Sequence, residues 1–276
     1  MEIVRRPPSF SAERFRQALT TLPAYWDLFV TLTAHRIKVR YKQSALGPAW
    51  AVLQPLALML VFAAVFSVIA RVPGGSSSHP YALFAYAGLL PWTAFASALA
   101  TGAGSLVAHS ALITRVAFPR EILPLTYVAA ALFDLAVAST VLLLMLVYYD
   151  VALTAHALWV LPVVVVLAGL ATSAVFVLAA VNVRFRDVSV AMPLLLQVWM
   201  FVSPVIYPLD AVPAAWRGWY LLNPMVGIVD AFRRATIEGR APDSSALGWA
   251  AAVTALALPA SYLWFKQVDA TMADRI

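Results

Sequence analysis

The stretch Tyr81-Ala-Leu-Phe-Ala-Tyr-Ala-Gly-Leu-Leu-Pro-Trp-Thr-Ala-Phe-Ala-Ser-Ala-Leu-Ala-Thr-Gly-Ala-Gly-Ser-Leu-Val107 lies within a run of 43 residues, between Arg71 and Arg115, that holds no Asp, Glu, Lys or Arg. Charge is absent again from Val151 to Val183 and from Ser244 to Phe265. A soluble domain cannot sustain such runs. The chain is 63% apolar and 12% charged with a mean hydropathy of +0.84, against roughly 45–50% apolar and about 25% charged in ordinary globular chains. The composition therefore predicts a polytopic membrane protein, and an all-α one, because hydrocarbon offers no partner for a backbone that does not satisfy itself.

A crossing takes about 20 apolar residues to cover a core roughly 30 Å thick. Six segments qualify: Trp50 to Ala70, Tyr81 to Val107, Leu123 to Tyr149, Leu158 to Val181, Ser189 to Tyr207 and Leu247 to Phe265. The second is long enough that it should tilt or bend at Pro91. The expected organisation is a cytoplasmic N-terminus over residues 1–48 with an interfacial helix, a transmembrane domain over 49–265 and a cytoplasmic tail over 266–276. The N-terminus MEIVRRPPSFSAERFRQ is charged and lacks the apolar run of a signal peptide, so it is expected to stay untranslocated.

Threading six spans from an inside N-terminus puts Arg5, Arg6, Arg14, Arg16, Arg36, Lys38, Arg40, Lys42, Arg115, Arg120, Arg184, Arg186, Lys266 and Arg275 on one side, 14 of the 19 Lys and Arg. Arg71, Arg217, Arg233, Arg234 and Arg240 fall on the other. This bias predicts both termini in the cytoplasm. The net charge of +6 then reports topology and anionic lipid, and no nucleic-acid partner is expected.

From Leu22 to Lys42, the residues Leu22, Trp26, Phe29, Val30, Ile37 and Tyr41 recur at three- and four-residue spacing, which predicts an amphipathic helix in the membrane surface. Arg36, Lys38, Arg40 and Lys42 alternate with apolar residues at period two, so a short strand is the alternative. Between Tyr207 and Ala246, Pro208, Pro213, Gly218, Pro224, Gly227 and Gly239 break an apolar stretch that carries Arg217, Asp230, Arg233 and Arg234. Short re-entrant helices at the outer face suit it, since those charges are costly at mid-bilayer. A span over Val212 to Phe232 is the alternative.

The chemistry on offer is sparse. The chain has no G-x-x-x-x-G-K phosphate loop, and no glycine precedes a lysine. Cysteine is absent, which removes disulfides and thiolate chemistry. His35, His79, His109 and His156 are dispersed, so neither a metal nor a catalytic constellation is expected. Gly102 and Gly104 predict close helix packing. Asp134 alone among the acids lies well inside a span and reads either as a proton carrier or as a hydrogen bond to a neighbouring span. The segment His109 to Pro124 mixes Arg115, Arg120 and Glu121 with Ile113, Val116 and Phe118, as either a short helix gripped by a cytoplasmic motor or a solvated loop. Most aromatics near span ends read as interfacial anchors; Phe84, Trp92, Phe95, Trp199 and Tyr207 are alternatively candidates to line a glycan passage.

The sequence Arg36-Ile-Lys-Val-Arg-Tyr-Lys-Gln-Ser-Ala-Leu-Gly-Pro-Ala-Trp50, followed by Gln54-Pro55, resembles the start of ABC-2 type polysaccharide export permeases. The resemblance continues at Gly88-Leu-Leu-Pro-Trp92, at Thr114-Arg-Val-Ala-Phe-Pro-Arg-Glu-Ile-Leu-Pro124, at Arg184-Phe-Arg-Asp-Val188, at Ser203-Pro204 with Tyr207-Pro208, and at Pro213, Trp216, Asn223-Pro224 and Arg233. It spans almost the whole chain from residue 25, with the O-antigen exporters the nearer branch over those for capsule or teichoic acid.

The resemblance implies a non-enzymatic transport subunit of the bacterial inner membrane. Two copies form the pathway for a lipid-linked polysaccharide, with two separate cytoplasmic ATPases binding ATP and magnesium and no cofactor on this chain. It implies that Arg115, Phe118, Pro119, Arg120 and Glu121 dock on the ATPase, with Phe118 as the packed anchor, and that Arg184, Arg186 and Asp187 make a second contact. It further implies an external gate carrying Pro213, Trp216, Asn223, Pro224 and Arg233. Arg36, Lys38, Arg40 and Lys42 stand where a lipid phosphate arrives, or serve only as positive-inside residues. The rivals are an exporter of a small amphiphile and a membrane enzyme acting on lipid-linked sugars.

Overall fold

The computed structural model describes residues 22–42, 44–65 and 80–272. The N-terminal segment 1–21, residue 43, the end of the first expected span at 66–70, the following 71–79 and the last residues 273–276 lie outside the described residues. The described chain is all-α. Its helices are α1 (Trp26–Lys42), α2 (Ala49–Ala63), α3 (Tyr81–Gly102), α4 (Ser105–Ala108), α5 (Ser110–Arg115), α6 (Ile122–Tyr148), α7 (Val160–Arg184), α8 (Asp187–Val202), α9 (Ala214–Leu221), α10 (Pro224–Thr236) and α11 (Ser244–Met272).

Four helical segments are long and apolar enough to cross a membrane: Tyr81–Gly102, Ile122–Tyr148, Ala155–Arg184 and Ser244–Asp269. The first expected span falls on α2, which runs on as helix through Ala64 and Val65 to the edge of the described residues, and the fifth falls on α8, of 16 residues, about 24 Å at ~1.5 Å per residue. In α8 the cause is local: the helix stops at Ser203-Pro204 and the chain continues to Tyr207 without helix. The second expected span also ends early, at Gly102, and α3 runs through Pro91 without a break in the helix.

Helix α3 is the hub. In its most apolar window 78% of residues are buried, against 22% for α11, so α3 is wrapped by protein while α11 shows most of its surface to the surroundings. Its neighbours are α2, α6, α7, α8 and α10. Tyr86 donates 2.9 Å to the Ala138 carbonyl of α6. A Cβ on Gly102 would fall 2.6 Å from Val175 Cγ1 on α7, so this glycine permits the α3–α7 approach, as its sequence context predicts.

Residues 36–42 are helical, which removes the strand alternative. Nor does α1 stand apart from the bundle: it packs along α6. The continuous span considered over Val212 to Phe232 is also excluded, because the chain breaks at Leu222-Asn223 between α9 and α10.

Candidate functional site

Chemistry-bearing side chains gather at two ends of the bundle and in one cavity between them. At the first end, α4, α5 and the turn to Glu121 connect α3 to α6. Glu121 is 1% exposed, and its carboxylate accepts from Lys266 Nζ at 2.6 Å and from the Tyr262 hydroxyl at 3.2 Å. Arg120 donates at 3.0 Å to both the carboxylate and the carbonyl of Asp269. Tyr262, Lys266 and Asp269 are spaced four and three apart and so share one face of α11.

This alters the roles expected for the loop. Glu121 is buried and Arg120 is engaged within the protomer, so neither carboxylate nor guanidinium is a free orienting charge. Phe118 is half-buried against a cluster containing Ile113, Leu123, Tyr262 and Phe265, and Pro119 is also half-buried. The side chains left outward on this segment are Thr114, Arg115, Val116 and Ala117. Around them the loop and Asp269 enclose a concavity of about 590 Å³.

The turn between α7 and α8 leaves the bundle beside this loop, since a Cβ on Gly104 would lie 3.7 Å from Ser189 Oγ. Asn182 pins the turn by accepting from the backbone and hydroxyl of Ser189 at 3.1 and 2.8 Å. Arg184, Phe185, Arg186 and Asp187 are all exposed. Val116, named in the sequence only among the loop's apolar residues, and Phe185, given no role of its own there, are 51% and 55% exposed among cations.

At the opposite end, Arg233 is 4% exposed and donates to three backbone carbonyls: Phe84 at 3.2 Å, Pro204 at 2.8 Å, and Val205. Its Cζ also lies 3.7 Å from the Phe84 ring centroid. Gly88 makes the room, because a Cβ there would sit 2.7 Å from that Cζ. Asn223 caps α10 by accepting from the Met225 amide at 3.1 Å, and its amide donates to Ser203 Oγ at 2.8 Å. Pro224 follows as the first helical residue, where its missing N–H costs nothing. Pro213 opens α9, on which Trp216 is 60% exposed.

The five candidate passage aromatics separate. Phe84, Trp92 and Phe95 are buried inside the protomer at 5%, 4% and 0% exposure, so they belong to its core. Trp92, Phe95 and Trp199 form a ring cluster joining α3 to α8, with Phe95 and Trp199 edge to face at 5.2 Å. Phe95 and Trp199 back a wide apolar groove of about 1040 Å³ between α3, α7, α8 and α11. The Tyr207 hydroxyl donates 2.7 Å to the Phe201 carbonyl and stands 3.4 Å from Tyr220.

Of the four N-terminal cations, Lys38, Arg40 and Lys42 are exposed and Arg36 is half-buried, and Arg36 and Arg40 both reach partners on the bundle. The Arg36 guanidinium stacks on the Tyr127 ring, 2.9 Å from its centroid, and approaches His109 Nε2 at 3.5 Å. Arg40 pairs with Asp134 Oδ2 and reaches Ser97 Oγ at 3.4 Å. Tyr41 donates to Asp134 Oδ1 at 2.6 Å. Burial first, and then Asp134, push the Tyr41 phenol up to about 12, so it remains a proton donor at neutral pH.

Asp134 therefore finds its partners on α1 and not on a neighbouring span. An unpaired carboxylate within a span costs about 2.5–3.5 kcal/mol on insertion scales, which explains why two polar groups converge on it. Around this group lies a cavity of about 410 Å³ between α1, α2, α3 and α6.

Residues 27–237, from α1 into the turn after α10, match the family of ABC-2 type transporters. The chain belongs to that family. Along its length it is 32% identical over 255 residues to the O-antigen export system permease protein RfbA of Myxococcus xanthus, covering 91% of this chain and 96% of the relative. A protein of the same name from Klebsiella pneumoniae is 26% identical over 215 residues, 78% and 82% of the two chains. The polysialic acid transport protein KpsM of Escherichia coli is 26% identical over 237 residues, 82% and 88%. Within the ABC-2 family match fall the exposed turn at Arg184 to Asp187, the loop through Glu121 and the Arg233 anchor, whereas the α11 partners of Arg120 and Glu121 lie beyond its end.

Proposed function

We propose that this chain is the transmembrane permease subunit of an ATP-driven exporter that moves a lipid-linked polysaccharide across the cytoplasmic membrane. The observation that carries the reading is the near end-to-end similarity to an O-antigen export permease. In this reading two copies form the pathway, α2 and α8 are the first and fifth of six spans, both termini are cytoplasmic, and α9 with α10 forms the external re-entrant gate. Two separate cytoplasmic subunits supply ATP and magnesium, consistent with a sequence that has no phosphate loop.

In this reading the residues that meet those subunits are the ones the packing leaves exposed. Arg115, Val116, Arg184, Phe185, Arg186 and Asp187 are the exposed contacts, and Phe118 and Pro119 hold the loop's shape from beneath. Arg120 and Glu121 brace the loop against α11. Lys38 and Lys42 are the cations free to meet a lipid phosphate.

The test is purification of the tagged chain from its native membrane in a mild detergent, with mass spectrometry of what accompanies it. Recovery of a P-loop ATPase at near one-to-one stoichiometry, with hydrolysis stimulated by lipid-linked glycan and not by small amphiphilic drugs, is the expected result. Recovery of no ATPase would sink the motor assignment, and stimulation by drugs alone would replace the polymer with a small amphiphile.

A further inference from the structure

The cavity around Asp134 brings polar side chains of four helices together. Its wall includes Arg40, Tyr41 and Ser44 from α1 and the turn after it, Trp50 and Gln54 from α2, Thr93 and Ser97 from α3, and Asp134 from α6. Its volume of about 410 Å³ falls within the roughly 300–1,000 Å³ usual for small-molecule sites. The aromatic pair Tyr148 and Tyr149 marks one end of α6. Counting back ~30 Å of hydrocarbon from there, at ~1.5 Å per residue, puts the other membrane boundary near Val128 and Asp134 about 9 Å inside it. A polar pocket at that depth needs water or a polar ligand to satisfy it.

The chemistry of the wall selects the ligand. Arg40 is neutralised by Asp134, so an anion entering would gain from the guanidinium and lose to the carboxylate, at closely similar range. What remains is a set of neutral groups that both donate and accept. Gln54 has an amide with no hydrogen-bond partner among the described residues; Thr93 spends its proton on the Leu90 carbonyl at 3.1 Å and keeps its lone pairs; Ser97 accepts from Arg40. Trp50, 50% exposed, adds an aromatic face. Hydroxyls that donate and accept, beside a flat C–H face, are the features of a pyranose ring.

We propose that this cavity is a saccharide subsite that holds one neutral sugar ring of the exported glycan, on the side where α1 meets the bundle. Trp50 supplies the stacking face, Gln54, Thr93 and Ser97 pair with ring hydroxyls, and the Arg40–Asp134–Tyr41 group fixes the floor. The inference rests on the polysaccharide reading above and adds to it a site and a ligand class.

The experiment uses the full-length chain with its co-purified partners in detergent, and reads saturation-transfer NMR on a panel of methyl pyranosides, inorganic phosphate and undecaprenyl phosphate. Saturable binding of at least one neutral pyranoside is expected, weakened about tenfold or more by Gln54→Ala and by Trp50→Leu, with thermal stability unchanged because both side chains are exposed. Thr93→Val provides a third variant that keeps the shape and removes the hydroxyl. No saturable pyranoside binding, or binding that all three variants leave intact, would overturn the site. Phosphate binding that these variants abolish, without sugar binding, would overturn the ligand class. Glycan export by the same variants in cells is read separately. Wild-type failure to export any glycan would remove the polysaccharide reading, whereas export untouched by variants that bind no sugar would remove only this subsite.

Discussion

The two ends of α11 face the same problem, a buried cation or carboxylate at a place where the chain leaves regular helix, and solve it differently. Where α11 finishes, charge meets charge: Lys266 on Glu121, Asp269 on Arg120. Near where α11 begins, Arg233 on α10 is satisfied by main-chain carbonyls of α3 and of the break after α8. Here α10 and α11 are in close contact, since a Cβ on Gly227 would lie 2.7 Å from the Ala246 carbonyl carbon, and Trp249 donates to the Leu222 carbonyl at 3.1 Å. An ion pair can be exchanged for other side chains of fitting shape. A guanidinium that organises three carbonyls cannot, because only a planar fork with five N–H donors reaches them all.

The largest effect expected is therefore at Arg233. Replacing it with Leu strands three buried carbonyls, at about 1–3 kcal/mol apiece, and the lost stability should sum to roughly 3–9 kcal/mol. The readout is the temperature at which the solubilised protein loses its monodisperse gel-filtration peak. Arg233→Lys should recover little of it. Full recovery by Lys would mean that charge, and not the fork, matters at this end, and the contrast with the other end would collapse.

Next comes Glu121→Ala, which leaves Lys266 and Tyr262 without their acceptor. Because the Lys266 side chain is 33% exposed, the cost should be about 2–3 kcal/mol, below the ~3–5 of a fully buried pair. The double change Glu121→Leu with Lys266→Met should regain most of that loss in the same melting assay. If it does not, the pair is as irreplaceable as the Arg233 anchor.

Removing exposed contacts sharpens the distinction between holding a loop and presenting it. Arg115→Ala combined with Phe185→Ala should leave melting within about 0.5 kcal/mol of the parent, as exposed sites do. It should sharply reduce co-purification of any ATPase. Unchanged recovery of the partner would move the docking surface elsewhere.

A smaller stability effect than at Arg233 or Glu121 lies at the start of α11, where Asp243 accepts from the Ser245 amide and hydroxyl at 2.8 and 2.6 Å. Those hydrogen bonds hold its carboxyl below the ordinary range. Asp243→Ala should cost about 1 kcal/mol, as lost caps do. A depressed folded-state value means that this contribution is present above the ordinary carboxylate range and is lost as the pH falls through the lowered value. The difference between parent and variant should shrink on acidification; a difference that grew would deny the cap its charge.

Much of the architecture was readable because hydrophobic runs free of charge have one outcome in a bilayer. The helical segments, the broken stretch after Tyr207 and the close packing at Gly102 follow from that and from the placement of Pro and Gly. The candidate site was only partly legible. Arg36, Lys38, Arg40 and Lys42 look alike on paper, yet Arg36 and Arg40 reach partners on the bundle, since that choice depends on α1 packing against α6. Glu121 reads as an exposed loop charge until α11 extends past Phe265 and brings Lys266 beneath it. One signal was available: a lone Asp134 in a span demands partners, though which donor-rich stretch supplies them is set by packing across the chain.

By itself the sequence determined that this chain lives in a membrane, that its segments are helical and where they break, because solvent partition and backbone hydrogen bonding act on local composition. Only the tertiary structure decided which charges are spent internally and which are offered outward. Whether a carboxylate is an ion-pair partner, part of a cavity floor or a docking contact depends on which helix lies within about 3 Å of it, and that distance is fixed by packing between segments far apart in the chain.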